Sequence, residues 1–332
     1  MEVLIVGGSG LISTGIVKHL LAGGDTVTVY NRGRRPVPAG VEQVTGDRRD
    51  RARFEAAFAR RRFDVVIDMI CFSPADAESS IRAFGGRCAQ LQFCSTVCTY
   101  GPEIPPAVLV DEDWPQRPIT EYGRNKVACE RLFLEAGVAG RFAVTIFRPS
   151  NTYGPGAPLV DQLEGDGPTW DRVARGLPVL VAGDGLGLWQ STHRDDCGRL
   201  FALAALNPRA YGQTYNAVRD CVFTWRDYYR QAAAALGTTA RLVLAPADWL
   251  LAQRPRRFGF LGEITRYHGA YSWAKVAAHF PQWRAAIGFE EGAREVFAEL
   301  RRRGAWRDSA ADADYQEVVD AALKLGFPLV EA

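Results

Sequence analysis

The stretch Val3-Leu-Ile-Val-Gly-Gly-Ser-Gly-Leu-Ile-Ser13 decides the fold of this chain of 332 residues. Its first four residues are a short apolar run rich in β-branched side chains, which is typical of a buried strand. The glycines that follow open a helical pattern that ends at Gly23-Gly24, and Thr26–Tyr30 predicts a second strand. The order strand, glycine-rich turn, helix and strand predicts a βαβ unit that binds a dinucleotide.

The glycine-rich turn is the predicted phosphate-binding element. Gly7 permits the tight turn, and Gly10 lets the backbone approach a pyrophosphate at the N-terminus of the helix. We therefore expect the cofactor to contact the turn and the first helical residues, at Gly7, Ser9, Gly10, Leu11 and Ile12.

The residues after the second strand indicate which dinucleotide is bound. An acid at this place accepts hydrogen bonds from the ribose 2′-OH of NAD, whereas an arginine accommodates the 2′-phosphate of NADP. The chain reads Tyr30-Asn-Arg-Gly-Arg-Arg35 with no carboxylate, so Arg32, helped by Asn31, favours NADP over NAD. Asp47, after a third predicted strand, is a candidate partner for the adenine amino group. The alternative is a solvated basic loop that holds no ligand.

A Tyr-x-x-x-Lys pair, Tyr122 and Lys126, follows the hydroxyl residues Ser95-Thr96 along the chain. A spacing of four places both side chains of the pair on one face of a helix. An ammonium beside a phenol favours the phenolate, so we expect Lys126 to lower the pKa of Tyr122 from its usual value of about 10. The upstream hydroxyl can hold the substrate oxygen whose proton Tyr122 takes or gives. These residues predict proton handling for hydride chemistry.

Motifs along nearly the whole chain together resemble the extended short-chain dehydrogenase/reductase family, in its NAD-dependent epimerase/dehydratase branch. They are, in chain order, Gly7–Ser13, Asp64–Ile67, Phe93–Gly101, Tyr122–Lys126, Arg148–Pro155, Gly183–Gly185, His193–Asp196 and Ser272–Lys275. The resemblance implies that Thr96 is the partner of the substrate oxygen, that Lys126 holds the cofactor ribose, and that Pro149 packs near the nicotinamide. It also places Asn151 and Tyr153 at the mouth of the substrate pocket.

The chain departs from the family pattern at positions that matter for the reaction. Val97 and Cys98 stand where the dehydratases carry an Asp-Glu pair, so a 4,6-dehydratase mechanism is not expected. Trp189 stands where sugar-nucleotide epimerases carry an arginine on the diphosphate, so an ordinary nucleoside-diphosphate sugar is not expected either. The stretch Ile67–Ser73 and the Asn-Arg-Gly at 31–33 are similar to an atypical branch that includes chloroplast stem-loop RNA-binding proteins.

Several side chains are candidates for the substrate face. Cys98 is either a small packing residue or a second acid/base opposite Tyr122, a role that a lowered pKa of its thiol would help. Trp189, Trp170 and Tyr153 either form an aromatic wall for a ring-shaped substrate or belong to the core. His193 lies in a family motif and is either a packing residue at the end of the sheet or a substrate contact.

Composition and charge argue against several classes of protein. A net charge of +2 gives no general drive toward nucleic acid or an anionic membrane. No apolar run is long enough for a membrane helix, and a core strand occupies the place of a signal peptide. The seven scattered cysteines fit free thiols in a reducing compartment, so we expect a cytoplasmic protein. Cys94 and Cys98 are the only close pair, without a second pair at metal-site spacing, so no metal site is expected.

The alternation of strands and helices predicts an α/β fold, a doubly wound parallel Rossmann sheet with a smaller, interleaved C-terminal domain. Residues 1–155 with 190–218 are expected to form the dinucleotide-binding domain. Residues 156–189 with 219–332 are expected to form the substrate-binding domain. The family resemblance implies a homodimer that pairs through the helices around Tyr122.

Two hypotheses of function follow. The first is an enzyme in which a bound NADP or NAD exchanges hydride with a carbinol carbon of a sugar-like or other oxygenated ring, with Tyr122 as the acid/base. It is an epimerase if the ketone stays bound and a net dehydrogenase or ketoreductase if the ketone is released. The second is a cofactor-binding scaffold or RNA-binding protein that kept the fold without the chemistry. The intact Thr96, Tyr122 and Lys126 argue against the second, as does the lack of a basic stripe.

Overall fold

The computed structural model describes residues 1–332, which form strands and helices in regular alternation over the first half of the chain. In chain order the strands are β1 (Glu2–Val6), β2 (Thr26–Asn31), β3 (Val41–Thr45), β4 (Phe63–Asp68), β5 (Cys88–Cys94), β6 (Ala143–Pro149), β7 (Asn151–Tyr153), β8 (Val179–Ala182), β9 (Leu188–Trp189), β10 (Ser191–His193), β11 (Gln213–Ala217), β12 (Phe223–Thr224), β13 (Arg241–Ala245) and β14 (Leu329–Glu331). The α-helices are α1 (Leu11–Ala22), α2 (Arg51–Phe58), α3 (Pro74–Phe84), α4 (Glu121–Val138), α5 (Thr169–Ala174), α6 (Arg194–Ala204), α7 (Trp225–Leu236), α8 (Ala247–Gln253), α9 (Ala274–His279), α10 (Phe289–Arg302) and α11 (Ala313–Lys324).

A parallel sheet of seven strands in the order β11-β6-β5-β4-β1-β2-β3 is the framework for the site. Its central strand β1 is buried on both faces: Val3 and Ile5 belong to one core cluster, and Leu4 and Val6 belong to another. Helices α1 and α6 contribute to the first cluster, and α2, α3 and α4 contribute to the second. Helices on both faces of a parallel sheet are the doubly wound α/β fold that the sequence predicts.

The strand order reverses next to β1, because β2 lies on one side of it and β4 on the other. In a doubly wound sheet, ligands bind in the crevice outside the carboxyl ends of the strands at such a reversal. The fold therefore predicts a ligand-binding site at the carboxyl ends of β1, β4 and β5.

Helices α1 and α6 pack unusually close together through two glycines. A Cβ added to Gly15 would lie 2.4 Å from the carbonyl oxygen of Arg194, and one added to Gly198 would lie 2.3 Å from the carbonyl carbon of Gly15. These distances leave no room for a methyl group on either helix. The contact fixes α1, and with it the N-terminal turn of the predicted phosphate-binding helix.

The chain divides into two compact units. The first comprises Met1–Thr152, Arg194–Asp220 and Tyr271–Ala285, and the second comprises Tyr153–His193, Cys221–Ala270 and Ala286–Ala332. The division expected from the sequence placed residues 271–285 in the second domain, whereas the structure packs them in the first unit. The reason is burial: Val276, Phe280 and Trp283 join the same core cluster as Tyr215 of β11.

The second unit has its own sheet, in which β8 pairs in parallel with β13 and β14 pairs antiparallel to β13. Its core is rich in aromatic rings, among them Trp170, Trp225, Tyr228 and Phe289. The role of this unit in holding a substrate stays a prediction. No helix anywhere in the chain is both long enough and apolar enough to cross a membrane.

The glycine contact between α1 and α6 gives a stability prediction. Gly198→Ala would gain up to about 1 kcal/mol from helix propensity, but forcing a methyl group into a packed contact costs about 1–3 kcal/mol. We expect a net loss of stability, seen as a lower midpoint in thermal unfolding. Gly259→Ala is the matched control, since no atom lies within 4 Å of an added Cβ there. An unchanged midpoint for Gly198→Ala would contradict the packing described.

Candidate active site

A cavity of about 460 Å³ opens where the carboxyl ends of β1, β4, β5 and β6 meet the N-terminus of α1 and one face of α4. It lies entirely within the first unit. The predicted site residues that line this cavity are Gly7, Gly10, Leu11, Ile12, Thr96, Tyr122, Lys126, Pro149 and Asn151. Residues distant in sequence thus meet at the crevice that the reversal of the strand order creates.

The glycine-rich turn fits an anionic ligand. Gly7 has φ +93°, and a Cβ there would lie 2.6 Å from Cγ2 of Ile70, so only glycine is accommodated. Gly10 precedes α1 without a side-chain cap, which leaves the first N–H groups of the helix open toward the cavity. The Ser13 hydroxyl donates to the carbonyl oxygen of Gly7 at 2.8 Å and closes the turn. Backbone N–H groups and the helix dipole together favour a phosphate at this place.

The loop after β2 holds Asn31 in a fixed orientation. Its Oδ1 accepts from the backbone N–H of Gly33 at 2.8 Å and from Nε2 of Gln43 at 2.7 Å. Its Nδ2 is buried without a hydrogen-bond partner in the protein. A buried donor without a partner is costly, so this amide fits a ligand oxygen. Arg32 follows Asn31 and is exposed to solvent.

Asp47 and Ser9 lie outside the lining of the cavity. Asp47 accepts from the backbone N–H of Arg49 at 2.9 Å and from Nη2 of the same residue at 3.0 Å. The Arg49 side chain and backbone hold the pKa of Asp47 down, at about 2. The carboxylate is therefore already bonded to its own loop, and its contact to adenine stays a prediction. The Ser9 carbonyl accepts from Nη1 of Arg35 at 3.3 Å.

Tyr122 and Lys126 lie on one face of α4, as their spacing predicts. The helix begins after Thr120, whose hydroxyl accepts from the N–H of Gly123 at 3.0 Å and caps the helix. Tyr122 lines the cavity together with Thr96, which follows the end of β5. Lys126 is buried, and its Nζ donates to the carbonyl oxygens of Cys71 at 2.9 Å and Cys94 at 2.8 Å. The structure thus brings Thr96, Tyr122 and Lys126 together.

The expected lowering of the pKa of Tyr122 is wrong for this structure. Partial desolvation of the phenol raises its pKa, as do the neighbouring thiols of Cys94 and Cys98, while the hydrogen bond with Thr96 acts in the opposite direction. Lys126 does not reverse the balance, because its ammonium is bonded to two carbonyl groups and lies 5.7 Å from the centre of the Tyr122 ring. Tyr122 is therefore a neutral phenol at neutral pH, as an unperturbed tyrosine also is.

Cys98 lies near the candidate catalytic residues, but its thiol is not activated. It is half-buried, and burial raises its pKa, with a smaller opposing effect from the hydrogen bond to Thr96. A thiol needs a lowered pKa to act as a nucleophile or base near neutral pH. The structure does not supply the lowered pKa that would help an acid/base role, so it favours the packing role, and the acid/base role of Cys98 stays a prediction.

Tyr153, Trp189 and His193 belong to the second unit and are buried there. The indole of Trp189 stacks on that of Trp225, with ring centres 4.8 Å apart and an angle of 27° between the planes. Tyr153 meets the ring of His193 edge-on at 5.3 Å. One face of the Trp189 indole is thus covered by Trp225 and cannot stack on a substrate ring. Of the two alternatives for Trp170, Trp189 and Tyr153, burial favours the core, and Tyr153 and His193 stay predictions as substrate contacts.

Sequence analysis missed a group of residues that line the cavity. They are Met69, Ile70, Phe72, Cys94, Ser150 and Thr152. Phe72 is the largest of them and is 49% exposed. The sequence does contain a signal for Phe72. It is an apolar residue between the buried strand β4 and the helix cap Ser73, and residues that follow a parallel strand lie at the carboxyl edge of the sheet. Nowhere in the chain do three or more His, Cys, Asp or Glu side chains gather in a way that can hold a metal ion.

Comparisons with known proteins agree with this architecture. The family model described as NAD dependent epimerase/dehydratase family matches residues 3–84 and 77–217. The 2′-dehydrokanamycin reductase of Streptomyces kanamyceticus is 31% identical over 320 residues, which span 96% of this chain and 90% of the reductase. The chloroplast stem-loop binding protein of 41 kDa b from Arabidopsis thaliana is 23% identical over 330 residues, which span 93% of this chain and 82% of that protein.

A solved structure shows the same fold. The UDP-glucose 4-epimerase of Thermus thermophilus in complex with NAD superposes with a TM-score of 0.70 at 26% identity, covering 91% of this chain and 99% of that one. The family model covers well over half of the chain, and the reductase and the epimerase each match it over nine-tenths of its length. The chain therefore belongs to the NAD-dependent epimerase/dehydratase family and is an enzyme of the extended short-chain dehydrogenase/reductase type.

Proposed function

We propose that this enzyme is an NADP-dependent ketoreductase that reduces a ring carbonyl of a sugar-like molecule carrying no nucleoside diphosphate. The observation that supports it most is the single cavity that combines Thr96, Tyr122 and Lys126 with the glycine-rich turn at Gly7. Fold and family give NAD(P)-dependent epimerase or reductase chemistry; the direction, the substrate class and the preferred dinucleotide are our proposal.

The residues of the cavity fit a dinucleotide. The uncapped N-terminus of α1 offers N–H groups to phosphate, and Gly7 leaves the space that a Cβ would fill. At the adenosine end, the buried Nδ2 of Asn31 lacks a partner in the protein, and Arg32 adds a positive charge. Lys126 uses two of its three N–H donors on backbone carbonyls, so one is left for a ribose hydroxyl. A nicotinamide bound there supplies or accepts the hydride.

The protein's own contribution is to hold the substrate oxygen and to move one proton. Thr96 donates a hydrogen bond to the carbonyl oxygen and orients it toward Tyr122. Tyr122 gives its phenolic proton to that oxygen as the carbonyl carbon is reduced, and the proton is replaced from solvent. The ammonium of Lys126 stabilises the phenolate that Tyr122 becomes for a moment. In the oxidative direction each of these transfers runs in reverse.

One observation favours reduction as the net reaction. A relative that is 31% identical over 96% of this chain is named as a 2′-dehydrokanamycin reductase, which supports a reductase acting on a similar ring molecule. Trp189 in place of a diphosphate-binding arginine also argues for a substrate without a nucleotide, because an indole cannot pair with a diphosphate.

Epimerisation is the second candidate, and the similarity to the T. thermophilus UDP-glucose 4-epimerase favours it. The same three residues serve both reactions. The two differ in whether the ketone leaves or is turned and reduced on its other face. The nucleotide that co-purifies with the protein distinguishes the two reactions. An epimerase is expected to hold an oxidised cofactor tightly through many cycles, whereas a reductase is expected to exchange its cofactor with solution.

The function is tested by NADPH oxidation with three groups of compounds: ketones on aminoglycoside-type rings, simple cyclic ketones, and UDP- or dTDP-sugars. We expect turnover with at least one ring ketone and no measurable binding of the nucleotide sugars by calorimetry. Tyr122→Phe should lower turnover by about 10²–10⁴-fold, because it removes the proton donor, while NADPH binding is kept. Tyr211→Phe, outside the cavity, is the control for a lost phenol.

Three results would contradict this function. Near-normal turnover of Tyr122→Phe would remove Tyr122 from the mechanism. Micromolar binding of a nucleotide sugar would restore the sugar-nucleotide epimerase. Salt-dependent binding of structured RNA together with no dinucleotide binding would favour a non-catalytic member of the fold.

The preference for NADP is tested at Arg32. A charge-assisted bond to the 2′-phosphate contributes about 1.5–3 kcal/mol, so Arg32→Ala should weaken NADP roughly ten- to a hundred-fold and NAD much less. Fluorescence titration with NADPH and NADH measures both affinities. Arg53→Ala is the charge-matched control, since the Arg53 side chain is 88% exposed on α2. An equal loss for the two cofactors would mean that Arg32 does not read the phosphate.

We also propose a homodimer that pairs through α4. A groove of about 530 Å³ runs along this helix and is lined by Val127, Leu134 and Val138 among other residues. Val138 is 92% exposed in this groove, so a second copy seated along α4 would bury it. Val138→Glu should convert a dimer into a monomer in light scattering, whereas Leu325→Glu, at an exposed apolar position of the second unit, should not. A monomeric wild-type protein would exclude the dimer.

A further inference from the structure

Phe72 lies at the rim of the candidate active site and has no part in the chemistry described above. It lines the cavity and is 49% exposed. Single exposed apolar side chains are common on protein surfaces, so exposure alone carries no argument. The important feature is the position of the ring. Its centre lies 4.9 Å from the ammonium of Lys126 and 6.4 Å from the centre of the Tyr122 ring.

The backbone presents Phe72 in a fixed place. Its N–H donates to Oδ2 of Asp76 at 3.2 Å, and the N–H of Ser73 donates to the same oxygen. Ser73 and Asp76 form the capping box of α3, and Arg51 pairs with Oδ1 of Asp76 at 3.1 Å. A capping box satisfies the backbone at a helix start and fixes the entry of the chain. The ring of Phe72 is therefore held at the cavity rather than carried on a free loop.

Lys126 lies among three aromatic rings, those of Phe72, Phe93 and Tyr122. Phe72 is on one side at 4.9 Å, and Phe93, which is fully buried, is on another at 4.7 Å. The ammonium is attracted to both ring faces and to the carbonyls of Cys71 and Cys94. Phe72 and Tyr122 both reach solvent, and Phe72 is the nearer of the two to the ammonium, at 4.9 Å against 5.7 Å, so Phe72 forms a large part of the wall between the ammonium and bulk water.

We infer that Phe72 is a positioning residue that holds Lys126 in place and covers the nicotinamide half of the bound dinucleotide with its exposed face. This inference rests on the proposed function, because it assigns the ligand that buries the ring. The exposed face of Phe72 lies beside Lys126, which keeps one N–H donor for a ligand, and this pair suits the nicotinamide riboside half. A ribose hydroxyl can accept the hydrogen bond from Lys126, and the nicotinamide ring can pack against the ring of Phe72. The loop after β2, where we propose that the adenosine end binds, is not part of the cavity that Phe72 lines.

Two pairs of probes test the inference. NADPH and NADH each contain the nicotinamide riboside, whereas 2′,5′-ADP and ADP lack it. We expect Phe72→Ala to weaken whichever dinucleotide the protein prefers by roughly five- to thirty-fold, through lost apolar contact and lost cation–π attraction. Affinity for the matching fragment should change by less than about twofold. Ile119→Ala is the matched control, because Ile119 is 47% exposed and lies outside the cavity.

Conservative variants separate positioning from a general structural role. Phe72→Tyr keeps the aromatic wall and should bind the dinucleotide like the wild type. Phe72→Leu keeps an apolar contact but not the ring face, so its affinity should fall between those of Phe72→Ala and the wild type. In a Lys126→Met background the effect of Phe72→Ala should shrink, because residues that act through each other are not additive.

The outcomes distinguish this inference from the function on which it rests. If the wild-type protein binds neither NADPH nor NADH, the proposed function is wrong. If it binds one of them and Phe72→Ala binds it equally well, the function stands and the inference is wrong. An equal loss of dinucleotide and fragment, or an undiminished effect in the Lys126→Met background, would also overturn the inference, since neither fits an action through Lys126.

Discussion

The site depends on the burial of one ammonium group. Lys126 projects from α4 and bonds to the carbonyl oxygen of Cys71, beyond β4, and to that of Cys94, at the end of β5. A buried ammonium is tolerated only where its donors are satisfied, so the helix can lie only where both strand ends can be reached. This requirement fixes Tyr122, one turn earlier on the same helix, against Thr96 and the cavity.

A second buried charge, one turn further along α4, strengthens the same arrangement. Glu130 accepts from Arg148 of β6 at 2.6 Å and also from the hydroxyl of Ser95, next to Thr96. Arg148 continues the network to the hydroxyl of Tyr100, which donates to Asn216 of β11 at 2.7 Å. Removing one partner of such a buried ion pair costs about 3–5 kcal/mol, because the other charge remains uncompensated. The network ties α4 to three neighbouring strands of the sheet.

These fixed charges explain why the chemistry of the site differs from that of an isolated Tyr-x-x-x-Lys pair. The ammonium of Lys126 is bonded to two carbonyl oxygens and does not bond to the phenol, and desolvation is the largest influence on the pKa of Tyr122. Tyr122 is thus a protonated phenol held on a helix whose position is fixed. It can give its proton to a developing alkoxide, and the phenol becomes basic only when a bound ligand changes the charges around it.

The sequence by itself determined the βαβ unit, the glycine-rich turn, the doubly wound sheet and the common face of Tyr122 and Lys126. These features follow from local patterns: an apolar run, glycines at fixed offsets and a helical spacing of four. Only the tertiary structure decided that Trp189 stacks on Trp225, that residues 271–285 join the first unit, and that Phe72 covers Lys126. The pKa of Tyr122 and that of Cys98 belong to the same group. Burial and partners distant in sequence set these properties, and no local pattern records either of them.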